Sequence, residues 1–210
     1  MTSPEVELRR VWHRVIGSTG RGHDEGLEAL LARHREPHRR YHTATHVMWV
    51  CRHVDRLAAT EPVDDLEAVL AAALYHDAVY DPRSSGNEAA SARLAEHRLV
   101  ELGWTPDRAA RVARMIEATA AHGSPIDHDT AVLLDADLAI LGAPSNEYLA
   151  YVTGVRTEYA HVPDEAWRTG RARVLRSFEE RPTIYTTDTM RAEREHRARA
   201  NLGAELASLR

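Results

Sequence analysis

Ala71-Ala72-Ala73-Leu74-Tyr75-His76-Asp77 is the stretch on which the fold turns. With Leu66, Val69 and Leu70 just before it, it predicts a helix that is apolar on almost every side. Such a helix belongs in the centre of a bundle, because any outward face would leave apolar surface in water. Its end is abrupt: the apolar run leads directly into a His and an Asp. Burying an ionised Asp beside a His is costly unless a metal or a partner compensates. Neighbouring helical residues project about 100° apart, so the pair can give a nitrogen and an oxygen to one ion, or let the Asp bridge two. Taken alone, the stretch reads equally well as a buried structural His–Asp pair.

Outward from that helix the pattern stays helical. Ser3-Pro4-Glu5 predicts a first helix with Leu8, Val11, Trp12, Val15 and Ile16 on one face. Leu27, Leu30 and Leu31 mark a second; Val47, Val50, Cys51, Val54 and Leu57 mark a third, beginning near residues 43–46. After a loop at residues 81–86, a fifth covers residues 87–102, and Thr105-Pro106-Asp107 starts a sixth. Residues 129–141 predict a shorter apolar helix carrying Asp135 and Asp137, and Pro144, Pro163 and Pro182 separate three more helical stretches. No segment alternates with period two. The expected fold is all-α, an irregular helical bundle.

Hydrophobic residues are 43% of the 210, enough for one domain over residues 1–210 with one substantial core. A net charge of −5 argues against general nucleic-acid binding. The basic runs at residues 33–40 and 191–199 contain Glu and read as solvated helix faces. All 27 basic residues are Arg, which excludes a lysine Schiff base and a P-loop lysine. Phosphate would have to be held by Arg, His, backbone N–H or metal. Cys51 is the only cysteine, so no intrachain disulfide and no thiolate zinc site can form; it reads as a buried structural thiol. Residues 1–10 are charged and no apolar stretch approaches ~18–20 residues, so a cytoplasmic chain without a membrane partner is expected.

Thirteen histidines are many for this length. His13, His34, His53, His97 and His196 lie in Arg/Glu-rich helical patterns and are expected at the surface. A second candidate piece is Arg40-Tyr41-His42-Thr43-Ala44-Thr45-His46, whose two histidines face the same way if helix already runs there; otherwise it is a His-rich helix start. A third is Leu133-Leu134-Asp135-Ala136-Asp137-Leu138, two acids inside an apolar helix, one of which could serve an Arg.

The order His46, His76-Asp77, Asp137 on three apolar helices resembles the HD superfamily of metal-dependent phosphohydrolases, with its H…HD…D pattern. Tyr41-His42-x-x-x-His46 is also similar to an element of cyclic-nucleotide phosphodiesterases, where the first His is a proton donor to the leaving group and the second a metal ligand. A closer likeness, over nearly the whole chain, rests on His76-Asp77-Ala78-Val79-Tyr80-Asp81-Pro82, Asn87-Glu88, Asp135-Ala136-Asp137-Leu138-Ala139-Ile140-Leu141-Gly142 and Val155-Arg156-Thr157-Glu158-Tyr159. These resemble a bacterial group of HD-superfamily phosphohydrolases, which implies the chemistry and leaves the substrate open. One departure stands out: where the phosphodiesterases carry a further His, this chain has Tyr80, which favours one ion over two and argues against cyclic-nucleotide cleavage.

The resemblance implies an HD-type bundle with His46, His76, Asp77 and Asp137 on a divalent transition metal, and Asp135 behind them. Mn, Fe, Ni, Co or Zn suit a mixed N/O donor set. Water activated by the metal attacks phosphorus, Asp77 orients it, and His42 protonates the leaving oxygen. Glu88, His122 and Arg156 are candidate substrate contacts. Glu88 reads otherwise as a helix N-terminal acid, His122 as a helix C-terminal His, and Arg156 as an ion-pair partner of Glu158 or another acid. Tyr148, Tyr151 and Tyr159 share a helix face and read as core. The expected partner is a small phosphorylated substrate, a nucleotide among the options, and a homo-oligomer stays open. Two other readings remain: an HD-like module that binds metal or nucleotide without turnover, and a di-iron HD-type oxygenase, for which His122 is the one good extra ligand.

Overall fold

The structure, a computed structural model, describes residues 3–17 and 21–210, without the side chains of residues 21 and 23. Met1 and Thr2, at the head of the charged N-terminal stretch, lie outside it. Ten α-helices and one 3₁₀ segment follow in order: α1 (Pro4–Ile16), α2 (Arg21–His34), α3 (Ala44–Leu57), α4 (Leu66–Tyr75), α5 (Asn87–Glu101), α6 (Pro106–Ala118), α7 (His128–Asp137), the 3₁₀ turn (Leu138–Gly142), α8 (Ser145–Glu158), α9 (Asp164–Glu179) and α10 (Asp188–Ser208). There is no strand among the described residues, and no helix is long and apolar enough to cross a membrane.

The centre is α4, as its composition requires. Every residue from Ala68 to Tyr75 is buried, and the helix packs against α1, α3, α5, α6 and α7. Its four alanines let neighbours approach closely, while Val69, Leu70 and Leu74 fill the space between; each such burial is worth roughly 1.5–3 kcal/mol. Asp65 caps its N-terminus through Ala68 N–H at 3.1 Å and receives both nitrogens of the Arg108 fork at 2.7 Å, pinning α4 to α6. A continuous hydrophobic core runs from Leu8 in α1 to Leu202 in α10. Cys51 is buried within it, and burial pushes its thiol well above the usual range.

Three local expectations need correction. α2 ends at His34, so residues 35–43 form a loop and not a solvated basic helix; Arg39 in that loop is buried. His34 is itself buried, with no partner on either ring nitrogen among the described residues, because it continues the inward face set by Leu27, Leu30 and Leu31. His97 and His196 are exposed, whereas His13 and His53 are half-buried. The helix expected over residues 129–141 stops at Asp137, and the chain tightens into the 3₁₀ turn.

That turn is the seat of α10. Gly142 allows the contact: a Cβ there would lie 2.6 Å from the Arg194 Cβ and 2.9 Å from the Arg194 carbonyl oxygen. Asn201 donates to the carbonyls of Leu141 and Ala143 at 2.8 and 3.0 Å, and Tyr185 donates to Leu138 O at 3.1 Å. Gly142→Ala is expected to force α10 off this turn and to cost about 1–3 kcal/mol, as overpacking against backbone does. Urea unfolding of the two proteins checks this; equal midpoints would mean the seam yields freely.

Candidate metal centre

Four chain-distant side chains meet at the C-terminal end of α4. His46 comes from the first turn of α3, His76 and Asp77 follow α4, and Asp137 ends α7. The Nε2 atoms of His46 and His76 lie 3.1 Å apart. Asp77 Oδ2 lies 3.4 and 3.2 Å from those nitrogens, and Asp137 Oδ1 lies 3.1 and 3.5 Å from them. Donor atoms of His46, His76 and Asp77 all fall within 4.8 Å of one another, and Asp137 joins them through the two histidines. Ligands about 2.1 Å from one ion stand about 3.0 Å apart at a right angle and about 3.4 Å apart at a tetrahedral angle, so these spacings are those of a possible metal-binding cluster.

Charge points the same way. Burial alone would push both imidazoles down and both carboxylates up in pKa. Contact between the two sets outweighs it: His46 and His76 are held above the usual histidine range, Asp77 and Asp137 well below the usual carboxylate range. The carboxylates therefore demand positive charge. Two protonated Nε2 atoms facing each other at 3.1 Å would repel, whereas one divalent cation between them meets both carboxylates. His76 is already set for this. Its Nδ1–H donates to Ala73 O at 2.9 Å, which leaves the Nε2 lone pair aimed at the cluster.

His42 stands beside the cluster without joining it. It precedes α3, whose N-cap is Thr43, so it is presented by the loop; its ring centroid is 5.8 Å from that of His46. The residue that places it is Glu158, at the end of α8, expected only as a partner for an arginine. Glu158 Oε1 accepts the backbone N–H groups of Arg40, Tyr41 and His42 at 2.7, 2.8 and 3.1 Å. Its Oε2 accepts His42 Nδ1–H at 2.7 Å and the Tyr80 hydroxyl at 2.8 Å. The Tyr80 ring stacks on His42 with centroids 4.2 Å apart. Gly154, one turn earlier in α8, lets the loop come this close: a Cβ there would sit 3.2 Å from Tyr41 Cβ.

Arg39 secures the other side. Its guanidinium donates to Asp77 O at 2.8 Å, His42 O at 3.0 Å and Ala78 O at 3.3 Å, joining the segment after α4 to the loop that presents His42. His122 Nε2–H donates to Asp137 Oδ2 at 2.8 Å. It is the one non-glycine residue with positive φ, 45°, among the described residues, a conformation seen mostly where something else demands it.

A cavity of about 350 Å³ opens onto this group, and His42, Glu88, His122 and Asp137 all line it. Its lining also includes the aromatic rings of Tyr41, Tyr151 and Phe178. Tyr151 thus faces the cavity, whereas Tyr148 is buried as expected of core. Two expectations fail here. Arg156 does not reach the cavity; it pairs instead with another acid, Asp164, at 2.6 Å, and holds Tyr159 O and Val162 O at 2.8 and 3.2 Å at the end of α8. Asp135 does not back the ligands. It accepts Thr186 N–H, Thr187 N–H and the Thr187 hydroxyl, anchoring the start of α10, because it points to the opposite side of α7 from Asp137. Set against family models, curated proteins and solved structures, the chain matches none of them.

Glu158 generates a pH prediction. Burial would raise its pKa, but the His42 hydrogen bond and charge and the backbone N–H groups bring it from 4.5 down to about 2. A depressed folded-state pKa contributes stability above the unfolded value that is lost as pH falls through the folded one. Its contribution, on the order of 3 kcal/mol, is expected to be whole above pH 4.5 and to vanish between there and pH 2. Glu158→Gln should flatten that limb of the urea midpoint against pH; an unchanged slope would show that other carboxylates carry it.

Proposed function

We propose that the protein is a metal-dependent phosphohydrolase built on an HD-type bundle, acting on a small phosphoester or nucleotide. The observation that carries this reading is one cavity lined both by a ligand of the ion-ready cluster and by a separately held imidazole. His46 and His76 would hold a divalent transition ion through Nε2, and Asp77 and Asp137 through carboxylate oxygens. When bound, such an ion supplies charge against a phosphoryl oxygen and acidifies water.

The chain's own groups do the rest. Asp77 accepts a hydrogen bond from the attacking water and aims it. His122 fixes the second oxygen of Asp137, so that carboxylate keeps one orientation. His42, its Nδ1–H on Glu158, presents Nε2 to the cavity and gives a proton to the leaving oxygen. Glu158 keeps the imidazole oriented, as a buried carboxylate does behind other catalytic histidines. The aromatic rings of the lining keep bulk water from the reacting group.

A module that only binds metal needs the four ligands and no acid beside them. Glu158 accepts five hydrogen bonds, four from the 40–42 backbone and the His42 ring and one from the Tyr80 hydroxyl, whose ring stacks on His42, and a carboxylate devoted to placing this imidazole is what favours turnover.

Two substitutions separate the roles. Asp77→Ala is expected to abolish hydrolysis across a phosphoester panel and to lower the metal retained after gel filtration; full activity with bound metal would move the chemistry elsewhere. His42→Ala should retain metal and lose about 10²–10⁴-fold in kcat. That loss should shrink on a nitrophenyl phosphoester, whose leaving oxygen needs no proton. An equal loss on both kinds of ester would make His42 a binding or folding residue, and loss of metal would make it a ligand.

A further inference from the structure

Two arginines line the cavity, and they differ in what they hold. Arg171 is spoken for: Nε and one terminal nitrogen meet Glu205 at 2.7 and 3.1 Å, and the Tyr151 hydroxyl lies 3.1 Å away. Arg181, just past α9, has no carboxylate partner among the described residues. Its contacts are three main-chain carbonyls: Nε–H to Ser177 O at 3.1 Å, one terminal nitrogen to His122 O at 2.5 Å, and the other to Ala121 O at 3.3 Å. A guanidinium has five N–H groups, so one remains on each terminal nitrogen. Those two N–H groups, and a charge that no carboxylate neutralises, are what this guanidinium fork still has to offer a carboxylate or phosphate. Its side chain is packed against the Phe178 ring, with the guanidinium carbon 4.4 Å from the centroid, so the fork does not sweep freely through solvent.

Position gives this fork its meaning. Arg181 touches the carbonyl of His122, while the His122 ring touches Asp137. A whole histidine residue thus lies between the guanidinium and the metal-ligand cluster. Arg181 is tied to the ligand cluster only through His122, and it lines the same cavity.

We propose that Arg181 is the docking point for a second, non-reacting anionic group of the substrate. The substrate class that fits is a phosphoester with an apolar or aromatic body and anionic charge at both ends, one end at the ligand cluster and the other on Arg181. The second group is a phosphate or a carboxylate, since both match the same fork. The identity of the reacting end rests on the phosphohydrolase reading; the anion site at Arg181 stands on its own geometry.

Two measurements test it. In the first, inorganic phosphate, and separately acetate, is titrated into the purified protein while the Arg181 Nε–H resonance, assigned by its absence in Arg181→Gln, is followed. A saturable shift is expected with at least one anion, and the stronger binder identifies the group; no shift with either overturns the proposal. In the second, kcat/KM is compared on nitrophenyl phosphoesters with and without a second phosphate or carboxylate. The preference for the doubly anionic ester is expected to fall at least tenfold in Arg181→Gln, and partly in Arg181→Lys, which keeps the charge but not the fork. An unchanged preference, with both esters losing equally, would make Arg181 only a tie for the 121–122 turn and overturn the proposal. If no phosphoester is turned over at all, the phosphohydrolase reading falls, and the resonance titration still decides the anion site.

Discussion

A carboxylate withdrawn from water must meet donors or positive charge, and this bundle meets that demand in two different ways. Asp129 and Asp135 take backbone N–H groups, and Asp129 also takes Arg111 at 2.7 Å. Glu158 takes three backbone N–H groups, an imidazole and a phenol. Those three are answered from within the fold. Asp77 and Asp137 receive no backbone N–H and no guanidinium among the described residues; imidazoles alone face them. With so many arginines in the chain, their absence from this one spot is the constraint around which the rest is arranged. A guanidinium there would fill the place a cation needs.

The scaffold that enforces it is stitched from elements far apart in sequence. α4 delivers His76 and Asp77 on a helix end that cannot move, since every face is packed. Arg39 fixes the carbonyls after that end to the loop before α3, and Glu158 fixes the same loop to α8. His42 is therefore placed by two buried charges and not by helical geometry. Arg181, also in the cavity lining, repeats the device by holding the carbonyls of the strained His122 turn. Each of these side chains reaches main-chain atoms, so the positions of the loops, and not only of single side chains, depend on them.

Much of this was legible in the sequence, for reasons that can be named. The unbroken apolar run in residues 66–74 dictated a central helix. Proline and capping signals at residues 105–106, 144, 163 and 182 punctuated the bundle where it is indeed punctuated. Each of the three His/Asp pieces has a bland reading by itself; the set His46, His76, Asp77 and Asp137 rests on their order on three apolar helices and its resemblance to the H…HD…D pattern. Asp135 looked as good as Asp137, and only the turn of α7 separates them, one aimed at the loop before α10 and one at the cluster. His34 could have been read as inward from its seven-residue step after Leu27; its basic neighbours masked that signal.

Sequence by itself determined the helices, the buried centre and the chemical character of the ligands, because periodicity and burial cost are local properties of the chain. What it could not decide was which charges pair. Glu158 and Arg156 sit two apart on one helix, yet one turns inward to order His42 and the other outward to Asp164. Arg39 and Arg181 sit among many arginines with nothing in their neighbours to mark them. A long charged side chain chooses its partner by which unsatisfied groups the packed helices bring within reach, and those groups exist as neighbours only once the tertiary structure has formed.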